Sequence, residues 1–283
     1  MKVRQVKTIL QSRTTTDGAG VRLQRVFSNR ETQLTDPFLL LDFFGSDNPN
    51  DYIAGFPWHP HRGIETITYM LEGKVNHEDS MGNGGTIESG DCQWMTAGSG
   101  IIHQEMPKGV DGAMRGFQLW ANLPSRHKMM KPRYREIKEA DIPEVTTKKG
   151  ASVKIICGEL EGTVGPVHEI VTQPEYLDVT LPPNTEFRHP TKRGHTVFVY
   201  IFEGKGHFSE DTERIIQSDH LVIFGDGDEI VVSSEDCQLR FLLISGKPIG
   251  EPIAWYGPIV MNTQEELEQA FREYRNGTFI KHQ

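Results

Sequence analysis

Two short segments carry side chains whose types and spacing suit metal chemistry. HPHRGIE (59–65) sets His59 and His61 two residues apart, and GSGIIHQE (98–105) does the same with His103 and Glu105. In extended chain, residues two apart face the same side, about 6.6–6.8 Å from one another along the backbone. Each pair therefore aims two donors one way. If both strands face one interior, three imidazoles and a carboxylate converge. That donor set, with positions left open, suits Fe(II) and also Mn, Ni, Cu or Zn. Pro57 and Pro60 cannot donate to a sheet ladder, which places the first pair at the start of a strand and stiffens it. Glu65 is the rival fourth ligand. It follows His61 by four residues and keeps the same parity in an extended strand, so periodicity alone does not separate it from Glu105.

The elements that must position these residues read as strands. Apolar runs recur at FLLLDFF (38–44), IETITYMLEG (64–73), TIESGDCQWMTAG (86–98) and GFQLWANL (116–123). The second half continues with EYLDVTLPP (175–183), TVFVYIFEG (196–204), HLVIFGDG (220–227) and LRFLLISG (239–246). β-branched and aromatic residues fill them, and turn residues punctuate them, which predicts a sandwich or barrel. One helix is expected near the C-terminus, where Thr263 and Glu266 form a capping box, Leu267, Ala270, Phe271 and Tyr274 share a face, and Asn276-Gly277 ends it.

The halves repeat one another. Tyr69–Lys74 matches Tyr200–Lys205 around a Glu-Gly turn, and Ile87–Asp91 matches Ile215–Asp219. The expectation is all-β: two β-barrels, residues 1–130 holding the metal, 131–148 as linker and 149–283 as a second barrel, plus the short C-terminal helix. Aligned through the repeat, His59 and His61 fall on Pro190 and Lys192, and His103 and Glu105 on Val231 and Ser233. No ligand survives, so the second barrel should bind no metal. The basic stretch RHKMMKPRYREIKEADIPEV (126–145) reads as a solvated connector.

Other features narrow the function. A chain of 283 residues with net charge −9 lacks the concentrated basic face that nucleic acid demands. The first twenty residues lack the apolar core of a secretory signal, and no run approaches the length of a membrane helix, which predicts a cytoplasmic protein. Cys92, Cys157 and Cys237 are odd in number and unpaired by motif, hence reduced thiols. His77 falls in the polar turn KVNHEDSMGNGG, and the remaining histidines lack a second His-x-His or His-x-Glu partner.

HPHRGIETITYMLEG and QWMTAGSGIIHQEMP, with DPFLLLDFFG and GFQLWANLP, resemble the pirin family of the cupin superfamily, densely over residues 20–125 and loosely beyond. The resemblance implies two cupin-type, jelly-roll-like barrels with metal only in the first, held by His59, His61, His103 and Glu105, and so favours Glu105 over Glu65. It implies an iron protein, with Co among the other metals such a site takes. It also implies one of two activities. One is a flavonol 2,3-dioxygenase that opens the central ring of quercetin with O2 and releases CO, Glu105 acting as base on a small aromatic enol. The other is a non-enzymatic, iron-binding, redox-sensing regulator of a protein partner.

Overall fold

In a computed structural model of the chain, which describes residues 1–108, 112–210 and 214–282, two compact units each combine a seven-stranded sheet with a four-stranded one. The first unit comprises residues 14–32, 38–139 and 249–283, and the second residues 1–13, 33–37 and 140–248. The large sheet of the first unit runs in the order Arg133–Ile137, Cys92–Thr96, Ile64–Glu72, Met114–Asn122, Phe38–Ser46, Val21–Phe27, Arg13–Asp17. Its small sheet runs Phe56–His61, Ile101–Pro107, Lys74–Asp79, Gly84–Glu88. The second unit repeats this plan, with Val6–Gln11 on the edge beside His220–Phe224 and Glu186–Pro190 on the edge of the small sheet. Among the described residues no sheet closes on itself, so the expected barrels are open double-sheet sandwiches. The strands are too few per sheet and too strongly divided between two layers to complete a single ladder.

The repeat seen in the sequence has a structural basis at its Glu-Gly turns. Gly73 and Gly204 both take positive φ, +93° and +79°, and a Cβ on Gly204 would lie 2.0 Å from the Gln238 carbonyl oxygen. Only glycine adopts that backbone without a clash.

The units are interleaved along the chain rather than divided at residues 131–148. Arg133–Ile137 pairs with Cys92–Thr96, and Glu144–Thr146 pairs with Ser152–Cys157, so the anticipated linker supplies an edge strand to each large sheet. Lys128, expected on a solvated connector, is only 1% exposed. Its ammonium donates to the carbonyls of Gly63 and Val260 and to Asn122 Oδ1 at 2.6–3.0 Å. Residues 249–283, expected to complete the second barrel, instead belong to the first unit. The helix Gln264–Arg275 has the anticipated capping box and buries Leu267 and Ala270 against Ile259, Met261 and Phe279.

The two interiors differ in a way that bears on function. Twenty buried apolar side chains, among them Val153, Ile155, Leu177, Val199, Phe241 and Leu243, form one continuous core in the second unit. Among the described residues of the first unit, one apolar cluster gathers around Val21, Leu23, Phe44 and Met70, another around Ile64, Met95 and Val260, and a third around Ile259, Leu267 and Phe279. No described helix is long and apolar enough to cross a membrane.

Candidate metal centre

Strands Phe56–His61 and Ile101–Pro107 are antiparallel neighbours in the small sheet of the first unit, with His103 opposite His59. The register slips between His103 and Glu105, which lies opposite Phe56 on one side and His77 on the other. Phe56–His61 is an edge strand, the position in which Pro57 and Pro60 leave no ladder bond unmade.

The imidazoles converge. His59 Nε2 lies 3.1 Å from His61 Nε2 and 2.9 Å from His103 Nε2. Both outer rings have their other nitrogen committed: His59 Nδ1–H donates to the Pro57 carbonyl at 2.8 Å and His61 Nδ1–H to the Pro258 carbonyl at 3.0 Å. Burial, then the neighbouring His59, holds His61 well below the usual imidazole range. Burial, with His61 and His59 beside it, does the same to His103. Neutral rings with Nδ1–H bonded to carbonyls carry their lone pairs on Nε2. His59 and His61, each with Nδ1 turned to a carbonyl, aim Nε2 at one another across 3.1 Å, the arrangement of two ligands around one cation. Nitrogens bound about 2.1 Å from one ion at right angles would be about 3.0 Å apart, so the site fits a metal.

Glu105 is 7% exposed, and its Oε1 accepts from the Thr68 hydroxyl at 3.0 Å. Its ligand atom groups with those of His77 and His103, just as those of His59, His61 and His103 group together; within each set all lie within 4.8 Å. His103 belongs to both sets. The four expected ligands thus form three converging imidazoles with Glu105 reaching from beside the third.

Glu65 is directed elsewhere. Its Oε1 accepts from Thr96 at 2.6 Å, Arg133 Nη2 lies 3.9 Å away, and burial raises its pKa. The parity argument from His61 fails because the chain breaks strand between them: Gly63 has φ +79°, and a Cβ there would meet the Val260 carbonyl at 1.9 Å. Counting restarts at Ile64, and Thr68, which reaches Glu105, is of opposite parity to Glu65.

His77 corrects the sequence reading. It lies in a strand, fully buried, with its ring stacked on Tyr134 at 5.0 Å and edge-on to His103 at 5.3 Å. Neither ring nitrogen has a hydrogen-bond partner, and Asp79 Oδ2 is 3.7 Å from Nε2. In KVNHED the inward row is Val75, His77, Asp79, with a single apolar member, so its alternation looks like a polar turn.

The site opens on a cavity of about 550 Å³, lined by His59, His61, Glu105, Thr68 and Gln118 and walled by Leu23, Leu40, Phe44, Trp120 and Trp255. Its size suits a small organic ligand.

Comparison with known proteins bears on this geometry. The pirin family pattern matches residues 20–121, and that of the pirin C-terminal cupin domain residues 176–280. A pirin-like protein of Caulobacter vibrioides is 46% identical over 99% of this chain and 100% of its own length. A pirin-like protein of Solanum lycopersicum is 45% identical over 96% of this chain and 91% of its own. The crystal structure of a quercetin 2,3-dioxygenase from Acinetobacter baumannii superposes with a TM-score of 0.91 at 33% identity, covering 98% of both chains.

Proposed function

The chain belongs to the pirin family, and we propose that it is a metal-dependent dioxygenase that opens the central ring of a flavonol such as quercetin. The observation that supports this most is the convergence of the His59, His61 and His103 Nε2 atoms beside an organic-sized cavity. His59, His61, His103 and Glu105 would hold one divalent ion, Fe(II) in our reading. Such an ion supplies Lewis acidity toward an enol hydroxyl and a coordination position for O2. The likeness to a quercetin 2,3-dioxygenase supports the choice of substrate class.

The side chains do the remainder. The Nδ1–H bonds of His59 and His61 to Pro57 and Pro258 fix their tautomers and ring orientation, so Nε2 is presented without rearrangement. Glu105 accepts the 3-hydroxyl proton at Oε2, while Thr68 steadies Oε1. Trp120, edge-on to His61 at 5.0 Å, and Trp255 offer flat apolar surfaces for a planar substrate and exclude water from it. Overall, O2 adds across carbons 2 and 4, and carbon 3 leaves with its oxygen as CO.

The test is to incubate iron-loaded protein with quercetin in air and follow flavonol absorbance and CO. CO above a metal-matched blank is expected, and Glu105→Gln should lower turnover by roughly a hundred-fold, as for loss of a general base. Absence of CO from loaded wild-type protein would reject the dioxygenase reading in favour of a regulator that turns nothing over.

A further inference from the structure

One polar row crosses the otherwise apolar inner face of the large sheet. Arg25, Asp42, Gln118 and Thr68 are successive cross-strand neighbours, Arg25 opposite Asp42, Asp42 opposite Gln118, and Gln118 opposite Thr68. All four line the cavity, and their same-face neighbours two residues away, Leu23, Leu40 and Trp120, line it too. On one side Thr68 donates to Glu105, and the row continues across the sheet to the buried Gln93. On the other, Arg25 bridges Asp42 through Nε and Nη2 at 2.9 and 2.8 Å and reaches Asp17 at 2.6 Å.

Two physical points give the row a function. Adjacent strands lie about 4.8 Å apart, so Asp42 and Arg25 stand about 10 and 14 Å along the sheet from Thr68. A flavonol's distal-ring hydroxyls lie about 4–6 Å from its 3-hydroxyl, so with a hydrogen bond of about 2.8 Å at each end it spans roughly 10–12 Å, which brings Asp42, the near member of the cluster, within its reach. The charges also select. Arg25 faces two carboxylates, leaving a net single negative charge; burial raises Asp42 to about 6, so it is ionised at neutral pH. Such a cluster takes up hydroxyl donors and repels carboxylates and phosphates. Near Glu105, Thr68 Oγ1 lies 3.0 Å from Glu105 Oε1 and 2.9 Å from the Gln118 amide oxygen, yet a hydroxyl has only one hydrogen. Gln118 thus stands beside Glu105 with its amide on the cavity, between the base and Asp42.

We propose that the Asp17–Arg25–Asp42 cluster is the far subsite of the cavity, selecting substrates whose distal ring carries adjacent hydroxyls, with Gln118 aligning the substrate between the cluster and Glu105. The inference rests on the flavonol reading of the site, but binding without turnover tests it separately.

The experiment is anaerobic titration calorimetry of the iron-loaded full chain with quercetin, which has a catechol ring, and galangin, the same skeleton without those hydroxyls. Wild-type protein should bind quercetin roughly ten-fold more tightly, the effect of a hydrogen bond to a charged group. In Arg25→Gln/Asp42→Asn, which keeps a neutral pair in place of the ionic one, the ratio of the two affinities should fall close to one. Asp17→Asn, at the half-exposed rim, should lower it part-way and serves if the double variant fails to fold. In air, the ratio of the two kcat/KM values should follow the binding ratio. An unchanged ratio in a folded double variant or in Asp17→Asn overturns the subsite even if CO is released. The predicted ratios without CO uphold the subsite and reject the reaction. Failure of both flavonols to bind rejects both.

Discussion

At the level of single residues, metal capture rests on three imidazoles aimed at one point, two of them, His61 and His103, held below the usual imidazole range by burial. His59→Ala or His103→Ala should abolish metal binding and leave a folded β protein by circular dichroism, whereas His195→Ala, in the second unit, should change neither. Glu105→Gln should weaken metal retention while Glu65→Gln, whose carboxyl serves Thr96, should keep it; the reverse outcome would make Glu65 the ligand. The buried histidines also set a pH dependence. Their folded pKa values lie well below the 6.5 of an exposed imidazole, so beneath about pH 6.5 the unfolded chain binds more protons than the folded one. Stability of the metal-free protein is therefore full above that pH and falls as pH drops below it. Urea midpoints at pH 7.5 and 5.5 check this, and His61→Ala should show the smaller drop.

At the scale of elements, the site depends on the turn between strands Phe56–His61 and Ile64–Glu72 and on the tail that braces it. Arg62, 2% exposed, donates to the carbonyls of Ser99 and Phe279, pairs with Glu273 at 2.8 Å and lies 4.2 Å over the Phe279 ring. Lys128 ties Gly63 to Val260, and burial pushes its ammonium down to about 7. Lys128→Met would leave three buried acceptors without a donor and should cost roughly 3 kcal/mol, read as a lowered thermal midpoint. The same turn marks where sequence reasoning stops. His59, His61, His103 and Glu105 are legible because each pair lies within one uninterrupted strand, where period two holds. Glu65 is not, because the left-handed Gly63 resets the parity, and His77 is not, because its buried row is polar. The edge strand Val6–Gln11 is equally hidden: its pairing with His220–Phe224 spans most of the chain and leaves no local pattern.

At the scale of the molecule, one plan of seven and four strands is used twice to different ends. The second unit fills its interior with apolar side chains; the first holds a largely apolar cavity crossed by a polar row and gathers His59, His61 and His103 beside it. The duplication can be read from the repeat, since it follows from aligned residues. The assignment of residues 249–283 to the first unit cannot, because it rests on packing of Ile259, Met261 and Phe279 far from the strands they complete. Among the described residues both groups that could hold a metal share His103 and lie in the first unit, which makes metal stoichiometry the most direct check. Elemental analysis of protein purified without added metal should find close to one ion per chain in the wild type and almost none in His59→Ala/His103→Ala; two ions per chain, or metal retained by the double variant, would contradict the account.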